Sequence, residues 1–382
     1  MAEQGRKKQR KKRYIKPDSF DFMVLFVALT LMLFGVVMIF SASHYTTMTS
    51  SKYSYDMYYF MKRQSAWAVL GTIAMVVCMN IPYTFWRRFS LFAYWLSNIF
   101  LAALWFVGAE AGGQKRWIDL GPMQFQPSEF TKIAVILYLA VYICNHRQDL
   151  GKIVGFLKAI AVLALPVGLI AISNFSSALL ILLMGLTMLF IGSPKIWYFF
   201  AGAVMTIPMA AIAIVFFPYR ISRIQIWLDP WADTSDGGYQ VIQGLYALAS
   251  GGFFGLGLGQ SRQKTFVPEA HNDFIFAILC EELGLVGAAL VIALFGVLIW
   301  RGVHIAMHAK DNFGTLVATG IIAVIAFQAI INMGVVTNAI PNTGQPLPFI
   351  SYGGTSLLLL MAMIGILLNI SRYPRQDNNE KY

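Results

Sequence analysis

The chain has 382 residues, of which 58% are hydrophobic and 12% charged, and its mean hydropathy is +0.63. A soluble domain carries about 25% charged residues, so a fully solvated globular protein is excluded. The net charge of +11 does not mark a nucleic-acid binder, because eight Lys/Arg fall within the first sixteen residues, directly before an apolar run. Such a segment reads as a cytoplasmic flank drawn to anionic headgroups. Cys78, Cys144 and Cys280 are dispersed in apolar runs, so neither a disulfide framework nor a zinc site is expected.

The first apolar run, FMVLFVALTLMLFGVVMIFSAS, holds about 19 spanning residues, too many for a signal-peptide core of about 7–15. It reads as a retained membrane helix. Ten spans are expected in all, near 20–43, 64–81, 88–108, 128–145, 153–172, 176–192, 196–217, 273–300, 314–337 and 352–371. Lys and Arg collect between alternate spans, at Arg87, Arg88, Arg147, Lys152, Lys195, Arg301, Lys310, Arg372 and Arg375. That bias places both termini in the cytoplasm and the long connections 44–63, 109–127 and 218–272 outside. The expected fold is an all-α, ten-helix membrane domain over 20–371, with cytoplasmic tails at 1–19 and 372–382. Its largest outer loop, 218–272, is too rich in aromatics and aliphatics for plain disorder and is expected to lie against the membrane or dip between helices.

In chain order, YFMKRQSAW places Lys62 and Arg63 at the outer end of the second span. Against the positive-inside bias they read either as a grip on an anionic ligand or as cations snorkelling to headgroups. GGQKRWIDLGP adds Lys115 and Arg116, and the large loop adds Arg220 and Arg223. QPSEFTK opens the fourth span, with Pro127 suited to the first helical turn and Gln126 or Ser128 available as a cap. Glu129 and Lys132 share one helix face at a three-residue spacing, either as a neutralising pair or as a functional one lining a cavity.

The glycines of SGGFFGLGLGQS lack the strand–loop–helix setting of a phosphate loop and read as sites of backbone packing or a hinge. FVPEAHNDFIFAILCEELG gathers Glu269, His271 and Asp273 at the mouth of the eighth span and buries Glu281 and Glu282 inside it. Asn272 as cap and Asp273 in a first helical turn would satisfy the helix dipole, which is one account of the acid; it leaves Glu269 and His271 unexplained. Glu281 and Glu282 lie about 12–13 Å deeper and read as framework, with Gln328 or Asn332 as their expected partners. NTGQPLPFISYGGTS reads as a tight re-entrant turn that leads into the last span and carries Ser351, Gly353 and Gly354.

Several of these stretches, RWIDLG with FQPSEFTKIA, WLDPWAD, GGYQVIQGLYALASGGFFGLGLGQS, VPEAHNDFIFAILCEELGLVG and PNTGQPLPFISYGGTS, resemble SEDS proteins (shape, elongation, division and sporulation). The likeness runs from about residue 20 to 371 and is closer to the FtsW/SpoVE branch than to RodA. It implies a peptidoglycan glycosyltransferase that polymerises lipid II, working with a class B penicillin-binding protein in division, elongation or sporulation. A lipid II flippase and a non-catalytic scaffold for the transpeptidase are the rival readings. The family's essential acid falls on Asp273, as candidate general base, and its cavity-lining charges fall on Arg63, Glu129 and Lys132. Arg220, Arg223, Glu269, His271, Ser351, Gly353 and Gly354 complete the candidate substrate-binding set. A divalent cation, Mg or Mn, is an expected aid to the pyrophosphate, and no organic cofactor is expected. Many members carry an acid in the turn before the sixth span, where this chain has SNFSSAL.

Overall fold

A computed structural model describes residues 19–111, 114–119, 121, 124–195, 197–199, 218–234 and 237–375; for 107, 109–111, 114, 115 and 218–220 it describes the backbone alone. Among the described residues, eight helices are long and apolar enough to cross a membrane. They are α1 (Phe22–Thr49), α3 (Tyr83–Val107), α4 (Pro127–Asn145), α5 (Ile153–Ser173), α6 (Phe175–Gly192), α9 (Ile275–Met307), α10 (Asn312–Val336) and α11 (Gly354–Ser371). Helix α2 (Tyr59–Asn80) is of spanning length but carries Lys62 and Arg63, which lower its hydropathy. The expected span at 196–217 lies almost wholly outside the described residues. Two further helices, α7 (Pro218–Leu228) and α8 (Gly237–Ser250), belong to the long connection before α9.

Local chemistry sets several of these boundaries. Asp21 accepts from the backbone N–H groups of Met23 and Val24, both at 3.1 Å, and so caps α1. Asp311 caps α10 through Gly314 N at 2.7 Å, and Asn174 caps α6 through Ser177 N at 3.1 Å. Pro127 occupies the first turn of α4 as expected, but neither Gln126 nor Ser128 makes a side-chain cap there.

One end of the bundle is tied by Asp21, whose N–H donates to Ser371 Oγ at 3.0 Å and whose carboxylate accepts from Arg301 at 2.6 Å. The opposite end carries the connections 50–58, 109–126, 218–274 and 337–353. There the sequence reading missed a small antiparallel sheet, β1 (Ala109–Ala111), β2 (Gln114–Asp119) and β3 (Gln124–Phe125), in that order. The side of the bundle is a belt of exposed apolar residues, among them Phe26, Leu33, Ile73, Ile99 and Leu290, as a bilayer-facing surface requires.

Helix α9 is broken at Gly284, whose φ of +65° only glycine adopts cheaply. The break frees backbone groups about 14 Å along from Ile275. The segment after α8 takes them up. Leu256 N and Gly257 N donate to the Glu281 and Glu282 carbonyls at 2.9 Å each. Leu285 N and Val286 N donate to Gly252 O and Phe253 O at 2.9 and 3.1 Å. The glycine-rich stretch is therefore a site of backbone packing, which answers one of the two sequence expectations for it.

Candidate active site

Asp273 stands two residues before α9, in a non-helical turn rather than in a first helical turn. Helix α9 has no side-chain cap, and Asn272, the expected cap, donates instead to Glu269 Oε2 at 2.7 Å. Helix capping therefore does not explain the acid, and tertiary contacts hold its segment. Ser351 Oγ donates to Asn272 O at 2.7 Å, Tyr352 N donates to His271 O at 2.9 Å, and Asn332 Nδ2 donates to Asp273 O at 2.7 Å. Ser351 is thus brought to the site as an anchor, and its hydroxyl also accepts from Leu347 N at 2.8 Å.

The carboxylate faces the 342–347 turn closely enough that a Cβ at Gly344 would sit 3.2 Å from Asp273 Oδ2, and Gly344 itself has φ +63°. Burial, with the Glu269 carboxylate beside it, pushes the Asp273 carboxyl up to about 6, while Arg116 and Arg223 oppose the rise. Those two arginines come from separate elements, β2 and α7, and each is fixed by a main-chain carbonyl. Arg223 donates to Asn342 O at 2.9 Å and Arg116 Nε to Ser173 O at 3.2 Å. A carboxyl raised toward neutral pH in the field of two guanidinium groups is suited to taking a proton beside an anionic group.

Glu129 and Lys132 form a second, buried polar cluster on α4. Lys132 Nζ lies 2.7 Å from Glu129 Oε1 and donates to Gln328 Oε1 at 3.5 Å, and Ser356 Oγ of α11 donates to Glu129 Oε2 at 2.9 Å. A cavity of about 10 Å³ is lined by Gln328 and Ser356, which bond the second cluster, and by Ser351 and Tyr352, which hold the Asp273 turn. Gly353 N reaches Gln64 Oε1 at 3.4 Å, and Gly354 packs against the Trp67 indole.

The His271 ring packs against Phe60 at 4.1 Å and Tyr352 at 5.7 Å, and burial pushes it down to about 4, so it is neutral near pH 7. Arg63 lies over the Tyr59 ring at 4.7 Å and bonds the Tyr352 side chain, which places it on that aromatic cluster. Glu281 and Glu282 bond neither Gln328 nor Asn332. Glu282 accepts from Ser41 Oγ at 2.6 Å and pairs with Lys264 at 3.8 Å, while Glu281 accepts from Ser261 Oγ and from Arg262 N at 3.1 Å. The side chains of Arg220 and Lys115 lie outside the described residues. Lys62 is exposed and paired with Asp56 at 2.8 Å. Ser176, Ser177 and Gln345 carry no local signal in the sequence, and Asn332 bonds the Asp273 and Gln345 carbonyls rather than the expected glutamates.

The chain has known relatives. A family model described as "Cell cycle protein", covering FtsW, RodA and SpoVE, matches residues 21–376. The chain belongs to the FtsW/RodA/SpoVE family. It is 40% identical to a protein of Geobacter sp. (strain M18) named "Probable peptidoglycan glycosyltransferase FtsW", over 93% of this chain and 97% of that one. It is 41% identical to "Stage V sporulation protein E" of Bacillus subtilis, over 94% and 99%. The fold of this family member matches a solved structure described as "Structural coordination of polymerization and crosslinking by a peptidoglycan synthase complex", at a TM-score of 0.77, 24% identity and coverage of 92% and 98%. It also matches the rod shape determining protein RodA of Thermus thermophilus, at a TM-score of 0.67, 24% identity and coverage of 94% and 98%. Family and fold agree with a multi-pass membrane protein.

Proposed function

We propose that Asp273 is the general base of a peptidoglycan glycosyltransferase that polymerises lipid II at the outer face of the bacterial cytoplasmic membrane. The transferase activity is the one named in relatives that this chain matches over nearly their whole length. One observation carries the assignment of the base: a carboxyl raised to about 6, in a turn held by α10 and by the connection that follows it, with Arg116 and Arg223 in its field. Three features support a ten-helix topology with both termini inside. They are the eight apolar helices, the length of α2, and the concentration of Lys and Arg at the end of the bundle where α1 begins.

The chemistry follows from the substrate's charge. The acceptor GlcNAc 4-hydroxyl loses its proton to Asp273 as its oxygen bonds the donor's anomeric carbon. The bond from that carbon to the pyrophosphate oxygen breaks with its electron pair, and the polyprenyl pyrophosphate leaves as an anion. Arg223 and Arg116 are placed to receive that charge. Glu129, Lys132 and Ser356 form the buried polar floor of α4 and α11, a cavity-lining role. Arg63 and His271 shape its aromatic edge at α2, and Gly354 lets the last helix approach the Trp67 indole of α2. A Mg or Mn ion would be bound mainly by substrate phosphates, since among the described residues no group of three or more potential ligands gathers. Glu269 would hold such an ion, which would supply further charge to the leaving group.

A class B penicillin-binding protein is the partner proposed for crosslinking the strands, in division, elongation or sporulation. The test is polymerisation of lipid II in detergent by the purified protein with that partner. Glycan chains are expected from the wild type and not from Asp273→Ala, and undiminished polymerisation by the variant would overturn the base.

A further inference from the structure

The turn SNFSSAL between α5 and α6 carries no acid and has no part in the chemistry above. In the structure it is the start of a hydrogen-bond chain that ends at Asp273. Asn174 Oδ1 accepts from Ser177 N at 3.1 Å, and Ser177 Oγ accepts from Gln345 Nε2 at 3.1 Å. The main-chain oxygen of Gln345 accepts from Asn332 Nδ2 at 2.7 Å, and the same nitrogen donates to Asp273 O at 2.7 Å. A parallel strut runs beside it, since Ser176 Oγ donates to Thr343 O. Asn332 is 1% exposed and Gln345 is 2% exposed, so neither bond has water as a ready substitute.

The Asn332 amide spends both protons on two carbonyls of different segments. One belongs to the non-helical turn that carries Asp273, the other to the turn that carries Gly344. The spacing of these turns sets the gap between Asp273 Oδ2 and the Gly344 backbone, where a single added carbon would stand at 3.2 Å. The Asp273 turn has no helix cap of its own to fix it. We infer that Asn332 is a positioning residue for Asp273, and that through Gln345 and Ser177 it extends this hold to the α5–α6 turn. The inference rests on Asp273 being the base.

The experiment measures kcat, KM for lipid II and the pH profile for Asn332→Ser and Ser177→Ala, with the partner present and with thermal unfolding as the fold control. Asn332→Ser keeps a hydroxyl donor but shortens the bridge. A fall in kcat of about 10- to 100-fold with KM within about two-fold is expected, because a displacement of about 1 Å is enough for that loss. The acidic limb should also move to lower pH as water reaches the carboxylate. Ser177→Ala, which deletes one hydroxyl at the far end of the chain, should move both quantities the same way by less, and it serves if Asn332→Ser does not fold. Unchanged kcat and acidic limb in folded variants would overturn the inference. So would a loss of activity that tracks only the folded fraction. Retained polymerisation by Asp273→Asn would instead remove the base itself, a separate outcome that the same assay reads.

Discussion

The hydroxyl of Ser356 donates to the carboxylate of Glu129 at 2.9 Å, which joins α11 to α4 at the point where Lys132 neutralises that carboxylate. The pair is nearly inaccessible to solvent, with side-chain exposures of 1% for Lys132 and 6% for Glu129. Removing one partner from such a pair leaves an uncompensated buried charge. Lys132→Met should therefore cost about 3–5 kcal/mol of stability, and the double variant with Glu129→Gln should recover most of it. Thermal unfolding of both proteins in detergent reads the difference.

The pH dependence of polymerisation follows from Asp273. A base works in its ionised form, and burial holds this carboxyl up to about 6. The rate should therefore rise with pH, with its acidic midpoint near that value. Linkage gives an independent check. A carboxyl whose folded value exceeds its unfolded one stabilises the fold while it is protonated, below the ordinary carboxylate range. That contribution is lost as pH rises from there to about 6 and is constant above it. In Asp273→Asn this window of falling stability should disappear from the unfolding curves.

Gly344→Ala tests the wall opposite the carboxylate. The residue has φ +63°, where alanine is strained by about 1–2 kcal/mol, and its new Cβ would press on Asp273 Oδ2 at 3.2 Å. Activity should fall at least about ten-fold while the unfolding temperature drops only slightly. Equal specific activity in the folded variant would show that the carboxylate has room to move.

Glu281 should behave as structure. Glu281→Ala strips the acceptor from Ser261 Oγ and from the backbone N–H groups of Arg262 and Gln263, at about 1–3 kcal/mol for each buried group left unpaired. Limited proteolysis should then cut within 258–266, where the wild type resists. A variant as resistant as the wild type would show that the loop is held by its backbone contacts alone.

The nine membrane-length helices described here were legible because hydrophobic runs about 20 residues long have few alternatives to helix in a bilayer. The Glu129–Lys132 pair was legible because its partners are three residues apart. The start of α9 was not. Residues 271–273 have caps and charges that favour a helix, but bonds from Asn332, Ser351 and Tyr352, all at least 59 positions away, pull them into a turn. The partners of Glu281 and Glu282 were hidden for the same reason, since Ser41 is 241 positions from Glu282. The sheet at 109–125 escaped because its strands are two to six residues long and no apolar alternation marks them.

The break at Gly284 has a mechanical consequence. Four backbone bonds lock the segment 252–257 to both lips of the break, and parting them in hydrocarbon would strand polar groups at several kcal/mol each. The segment therefore splints the break, and the loop and the two pieces of α9 form one rigid unit across Gly284. Any load placed on that loop from outside the membrane, by a neighbouring domain or by a growing glycan strand, is delivered to the half-helix that begins two residues after Asp273.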